Sequence, residues 1–382
     1  MLIVADENMP YVREWFAPFG EVRTLPGRAL SVELLRDADA LLVRSVTRVG
    51  ERLLQGSRVR FVGSATSGIE HIDTDYLRAQ NIAYASAPGC NATAVVEYVL
   101  SCICALDDML EKLLGGSMVG IIGLGNVGAR LMRRLHALGI RCVGYDPLLG
   151  VEGPAAQSDL SWCDLETVLN ADVICCHAPL TTTGAYPTRH LLDAQRLWQL
   201  RKGAVLINAS RGAVVDNAVL LNLLRERDDL RVVLDVWESE PEIDLSLLRE
   251  VALATPHIAG YSWDGKVAGT RAVLNAFCQF FQLPLPAQST AAARPVLRVT
   301  PDLNSADLLR AALQSVYDVR RDDSDMRAAL LRCESNRIAD VFDRLRKNYP
   351  QRRELAAYAI ENWAELNAAS QLLLQRLGFS SQ

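Results

Sequence analysis

Hydrophobic positions fall in short runs that alternate with amphipathic stretches along most of the chain. In the N-terminal part the runs Leu2–Ala5, Val22–Leu25, Ala40–Val43, Arg60–Gly63 and Ile82–Ala85 predict strands. Between them, Tyr11–Phe19, Val32–Arg36, Glu51–Leu54 and Asp75–Gln80 carry apolar residues at helical spacing. Strands separated by helices predict a parallel sheet covered on both faces, because parallel neighbours need a crossover and the crossover helix packs on the sheet. Asn91 then reads as the N-cap of a long apolar helix running to about Leu110, with Glu97 inside it.

A second alternating series begins at Met118. Met118–Ile122, Arg141–Tyr145, Asp172–His177, Ala204–Asn208, Arg231–Val236 and Val251–Ala254 predict six more strands, and a helix follows over Gly265–Phe281. The Pro/Ala/Ser stretch Leu283–Pro295 reads as a linker. Beyond it, helical patterns near Ser305–Tyr317, Asn336–Lys347 and Ala364–Leu377, with a strand at Leu355–Ile360, predict a small α/β domain. At 382 residues the chain is long enough for two or three domains.

Composition narrows the function classes. Half the residues are hydrophobic and 22% charged, which gives ample material for packed cores and argues against general disorder. A net charge of −5 argues against a polyanion-binding surface, so nucleic acid is not an expected partner. The N-terminus MLIVADENMP has no basic n-region. The longest apolar segment, Ala92 to Leu106, is interrupted by Glu97 and too short to span a bilayer, so no membrane partner and a cytoplasmic location are expected. The nine cysteines form no CxxC pair and read as buried thiols, with neither a disulfide framework nor a metal site expected.

The strongest local chemistry is GLGNVG, Gly123 to Gly128, set between an apolar strand and a helix striped by Val127, Leu131, Leu135 and Leu138. Gly123 permits the tight turn, Gly125 lets the backbone approach a pyrophosphate, and Gly128 allows close helix–strand packing. Asn126 and Val127 complete the loop at the helix's electropositive end. Asp146 closes the next run 18 residues past Gly128, where a carboxylate accepts from ribose hydroxyls and repels a 2′-phosphate; NAD is therefore the expected cofactor.

Three later segments each end a strand of that sheet: INASRGAVVD (Ile207 to Asp216), LDVWESEP (Leu234 to Pro241) and TPHIAGY (Thr255 to Tyr261). Ligands bind beyond the carboxyl ends of parallel strands, so Arg211, Asp235, Glu240 and His257 are candidates to converge there. His71, His136, His177 and His190 lack comparable company.

These motifs, in this order, resemble the D-isomer-specific 2-hydroxyacid dehydrogenases. DENMPY, VRSVT, PGCNA with VVEYV, RGAVVDN, YDVRRDD and LRKNY extend the likeness over nearly the whole chain and are similar to a branch of that family acting on a phosphorylated hydroxy acid. The resemblance implies a flavodoxin-like substrate domain (residues 1–92 with 257–284), a Rossmann NAD domain (93–256) and a C-terminal α/β domain (285–382) that forms a homodimer. It implies that Arg211 holds the substrate carboxylate and C2 oxygen, that His257 takes the C2 hydroxyl proton, and that Glu240 orients the imidazole. Asp235 would fix the nicotinamide carboxamide, while Ala178, Ala209, Ser210, Arg211 and Gly260 would line the cofactor.

Ser45, Thr66, Ser67 and Tyr261 would contact the substrate, and Arg44 is a candidate phosphate partner, although its strand parity equally allows it to point away from the cleft. Where many relatives carry GxGxD this chain has Ser67, Gly68 and Glu70, and Tyr261 stands where a small residue is common; both departures argue against a small substrate such as glycerate. The charged run Arg344, Arg346, Lys347, Arg352 and Arg353 reads as a solvated face, with one of these arginines a candidate to reach a partner subunit's site. Two other functions fit the motifs: a dehydrogenase for another phosphorylated D-2-hydroxy acid, such as 3-phosphoglycerate, and a non-catalytic NAD(H)-sensing protein.

Overall fold

A computed structural model describes residues 1–149, 160–288 and 294–380. It divides into two compact units, Met1–Ala92 with Tyr261–Ala293, and Thr93–Gly260 with Arg294–Gln382.

The first unit is built on strands β1 (Leu2–Asp6), β2 (Glu21–Leu25), β3 (Ala40–Val43), β4 (Phe61–Ser64) and β5 (Ala83–Ala85). They form one sheet in the order β2-β1-β3-β4-β5, with every pairing parallel. This is the flavodoxin-like order, whose reversal point lies between β1 and β3. One face packs against Val12, Trp15 and Phe16 and against Val273, Leu274 and Phe277 of the long helix Trp263–Phe281. The opposite face packs against Leu35, Leu54 and Leu77 from the short crossover helices. Ser262 caps the long helix, its Oγ accepting from the Gly265 amide at 2.9 Å.

The second unit contains β6 (Met118–Ile122), β7 (Arg141–Tyr145), β8 (Val173–Cys176), β9 (Val205–Asn208), β10 (Arg231–Leu234) and β11 (Leu253–Ala254). Their order is β11-β10-β9-β8-β6-β7, again all parallel, and Trp162 adds a single parallel bridge to Gly144 of β7. The order reverses between β6 and β8, as in a dinucleotide-binding sheet. The apolar helix expected to reach Leu110 stops at Ala105, and a second helix spans Met109–Leu114. Asp107 takes a left-handed φ of 39° in the break, a stop that neither Gly nor Pro announces in the sequence.

The C-terminal segment forms a two-stranded parallel sheet, β12 (Val296–Leu297) with β13 (Ala359–Ile360), and helices Ser305–Val316, Val319–Leu330, Ile338–Lys347 and Ala368–Leu377. The helix Val319–Leu330 is absent from the sequence-based reading, since its buried stripe is only Val319, Met326 and Leu330 among charged residues. It packs against the β11 edge, where Asp323 Oδ1 accepts from the Ala254 amide at 2.8 Å and Arg327 donates to the Leu248 and Val251 carbonyls. Met326, Leu330, Val341 and Phe342 thereby join the apolar core that includes Leu234 and Ala254. Residues 289–293 of the expected linker lie outside the described residues. The nine cysteines are all free thiols, and no described helix is long and apolar enough to cross a membrane.

Candidate active site

The glycine loop leaves β6 at the reversal point of the second sheet. Gly123 has a φ of 89°, and a Cβ on it would stand 2.7 Å from the Ala178 amide nitrogen, so only glycine lets the loop pass the end of β8. A Cβ on Gly128 would overlap the Gly123 carbonyl oxygen, so the helix Gly128–Ala137 starts directly beneath the turn. Over Gly125, among the described residues and apart from its own chain neighbours, no atom lies within 4 Å of a Cβ position, which leaves room for a ligand's phosphates beside the helix N-terminus. Asp146, just past β7, accepts from the Leu124 amide through Oδ2 at 2.9 Å and from the Leu148 amide through Oδ1 at 3.1 Å. The carboxylate is thus fixed against the loop from its far side. Open space over Gly125 and an anchored acid beyond β7 fit a dinucleotide without a 2′-phosphate.

The turn after β9 is tied by Asn208, a fully buried residue. Its Oδ1 accepts from the Ser210 amide and hydroxyl, and its Nδ2 donates to the Arg211 carbonyl at 3.0 Å. Ala209, Ser210 and Arg211 therefore leave the strand end in a fixed geometry. A Cβ on Gly212 would stand 2.0 Å from the Trp237 carbonyl carbon, so Gly212 brings the arginine turn against the segment that follows β10. Arg211 itself is partly exposed, with Nη1 donating to the Ser210 carbonyl at 2.9 Å.

Beyond β10 lies the acid–histidine pair. Glu240 Oε1 lies 2.5 Å from His257 Nδ1, while Glu240 Oε2 accepts from the Trp237 amide at 3.3 Å. Nδ1–H donating to the carboxylate leaves Nε2 as the proton acceptor. Burial pushes the Glu240 carboxyl up, but the hydrogen bond and charge of His257 and the charge of Arg346 outweigh it and hold the group below its usual value. Arg346, considered from sequence for a partner subunit's site, here acts on Glu240 of its own chain.

His257 has a left-handed φ of 57°, costly for a residue with a Cβ and sustained by its surroundings. Asp235 supplies much of that support. Buried to 1% exposure, it accepts from the Thr255 hydroxyl (2.7 Å), the Ile258 amide (2.7 Å) and the Ala259 amide (3.0 Å), and its carbonyl accepts from the His257 amide (2.7 Å). Burial raises the Asp235 carboxyl, an effect that His257 and these donors offset only in part. Gly260 ends this loop.

Two contributors were not read from the sequence. Tyr98 hydrogen-bonds Thr255 Oγ1 at 2.8 Å, and Arg352 donates from Nη2 to the Ala259 and Ala94 carbonyls, both at 2.8 Å. Arg352, expected on a solvated face, is 6% exposed and lies 4.1 Å from the Tyr317 ring centroid. A run of basic residues does not reveal which of them has buried carbonyls to meet. His190, without motif company in the sequence, also has partners: its Nε2 lies 2.6 Å from Glu238 Oε1 and its Nδ1 3.5 Å from Asp216 Oδ2.

In the first unit, Thr66 donates to the Gly68 carbonyl at 3.1 Å and so braces its own loop, while Ser67 Oγ accepts from the Gly89 amide at 3.3 Å and ties that loop to the segment after β5. Ser45 is exposed in the turn just past β3, and Tyr261 precedes the long helix with Lys266 Nζ 5.3 Å from its ring centroid.

Comparison with known proteins matches residues 102–259 to the family described as D-isomer specific 2-hydroxyacid dehydrogenase, NAD binding domain, and residues 291–378 to a domain family of unknown function. The chain is 49% identical to an erythronate-4-phosphate dehydrogenase of Cellvibrio japonicus over 99% of both chains. It is 44% identical to the Proteus mirabilis protein of that name over 100% of this chain and 99% of the relative. Among solved structures, Aquifex aeolicus D-lactate dehydrogenase with NAD and lactic acid superposes with a TM-score of 0.60 at 22% identity, covering 74% of this chain and 96% of that one. The NAD+-bound 3-phosphoglycerate dehydrogenase of Entamoeba histolytica superposes with a TM-score of 0.61 at 24% identity, covering 74% and 95%. The chain belongs to the erythronate-4-phosphate dehydrogenase branch of the D-isomer-specific 2-hydroxyacid dehydrogenase family.

Proposed function

We propose that this protein oxidises 4-phospho-D-erythronate to (R)-3-hydroxy-2-oxo-4-phosphooxybutanoate with NAD, as a step of pyridoxine biosynthesis. The observation that carries the chemistry is the 2.5 Å Glu240–His257 pair on the rim of a sheet whose glycine loop suits a dinucleotide; the substrate rests on the full-length relatives.

NAD, when bound, accepts the hydride that leaves substrate C2. Gly123, Gly125, Asn126, Val127 and Gly128 would bind its pyrophosphate with backbone amides, Asp146 its adenosine ribose, and Ala178, Ala209, Ser210 and Gly260 would line it. Asp235 would add a carboxamide contact to its role in bracing the histidine loop. The Arg211 guanidinium would bind the substrate carboxylate and C2 oxygen, its planar fork matching paired oxygens. His257 Nε2 would take the C2 hydroxyl proton, and the ionised Glu240 would hold the ring and stabilise the resulting imidazolium. Ser45, Thr66, Ser67 and Tyr261 would bind the rest of the substrate. Among the described residues the amides of Thr66, Ser67 and Gly68 have no acceptor, which suits oxyanion binding. The active form would be a homodimer formed through the C-terminal segment.

His257→Asn is expected to lower kcat by about 10²-fold or more, the usual worth of a positioned general base, with NAD affinity unchanged. Turnover within a few-fold of wild type would remove His257 from the proposed role.

A further inference from the structure

The proposed substrate carries a phosphate dianion, for which the sequence offers Arg44 alone as a candidate partner. The first unit offers one place. Its strand order reverses between β1 and β3, and crevices at the carboxyl ends of strands flanking such a reversal are where open parallel sheets bind ligands. Arg44 is the residue immediately past β3, partly buried, followed by the exposed Ser45.

A second cation stands on a helix packed over the same strand ends: a Cβ on Gly269 would lie 2.6 Å from the Ala65 carbonyl oxygen, and the Ala65 amide donates to the carbonyl of Val43, the neighbour of Arg44. Lys266 lies in the first turn of the helix Trp263–Phe281, half-buried, with Nζ 5.3 Å from the Tyr261 ring centroid. The Arg44 charge acts directly on it: burial first, and then Arg44, bring the Lys266 ammonium down to about 8. Among the described residues neither side chain has a carboxylate partner, although the chain carries more acidic than basic residues. Two cations drawn from a strand end and a helix start, partly desolvated and without a counterion, repel each other. A bound anion would reverse the sign of that interaction.

We infer that Arg44 and Lys266, the lysine over the face of Tyr261, form a subsite for the phosphate of the substrate. This rests on the functional reading given above and extends it to Lys266, which no motif marks. The two cations divide the work by shape. The guanidinium presents a planar fork to two phosphate oxygens, and the ammonium acts as a compact point charge on a third. A phosphate monoester is close to doubly charged at pH 7, so its arrival would favour the charged form of Lys266.

The test compares wild type, Lys266→Met, Lys266→Arg and Arg44→Met on 4-phosphoerythronate and on unphosphorylated erythronate, following NADH. Inorganic phosphate is added as a competitor and as a thermal-shift ligand. In Lys266→Met the KM for the phosphorylated substrate is expected to rise about ten- to hundred-fold, the scale of one charge-assisted contact. KM for NAD and the rate with saturating erythronate should stay near wild type, Lys266→Arg should recover most of the loss, and competition by inorganic phosphate should weaken. An unchanged KM for the phosphorylated substrate in both Lys266→Met and Arg44→Met would overturn the subsite. So would an equal loss on both substrates, which would make the lysine a structural residue. Wild-type enzyme inert towards 4-phosphoerythronate would instead fail the functional reading. The subsite would then stand or fall on whether inorganic phosphate raises the Tm of wild type and not that of Lys266→Met.

Discussion

At the residue scale, the candidate chemistry depends on a few positions where backbone meets backbone. Arg211 and His257 were legible from sequence because RG and TPH end strands and because their polar atoms stand out from apolar runs. What holds them was not legible. Asn208 ties the arginine turn, and Gly212 admits the Trp237 carbonyl within what would be bonding overlap of a Cβ. Asp235 was read as a cofactor contact, and its three donors at 2.7 to 3.0 Å show it bracing the loop around a histidine with positive φ. Such contacts join strand ends that are distant in sequence, so spacing alone carries no trace of them. Gly212→Ala therefore has a definite expectation. The added methyl must displace either Arg211 or the segment leading to Glu240, and kcat/KM should fall at least ten-fold while far-UV circular dichroism stays unchanged. Kinetics within two-fold of wild type would mean that the two loops move apart at no cost to the site.

At the element scale, strands were the most legible part, since alternating apolar runs bounded by helices leave few other readings. Helix ends were less so. The stop at Ala105 rests on a left-handed Asp107, and the helix Val319–Leu330 hides a three-residue stripe among arginines and aspartates. Within the helix Ala92–Ala105, Glu97 is 3% exposed, and its Oε1 accepts from the Leu355 amide at 2.9 Å. Burial, with the nearby charge of Glu354, pushes its carboxyl up to about 8 against an ordinary value of 4.5. The sign follows from proton counting. Between about pH 4.5 and 8 the folded chain holds a proton that the unfolded chain has released, so this group's contribution is fully present below 4.5 and is lost as pH rises through 8. Glu97→Gln keeps the acceptor for Leu355 and removes the titration. Its Tm relative to wild type should accordingly rise as pH goes from 5 to 8. Parallel Tm curves over that range would show that Glu97 is ionised in the folded protein.

At the scale of the whole molecule, two parallel sheets each place their polar loops at strand ends beside a reversal of strand order. The alternation of runs made that architecture legible. The placement of the C-terminal segment was not, because its packing on β11 runs through Asp323, Arg327 and a handful of apolar residues with no repeating pattern. Arg352 gives that segment a direct hold on the carbonyl of Ala259, two residues past His257. The most direct test of the account is NADH absorbance with purified protein and NAD, comparing 4-phosphoerythronate with erythronate and 3-phosphoglycerate. The account predicts strong turnover of 4-phosphoerythronate and weak or no turnover of the other two. Equal turnover of 3-phosphoglycerate would contradict the substrate, and silence on all three with NAD bound would contradict the enzyme.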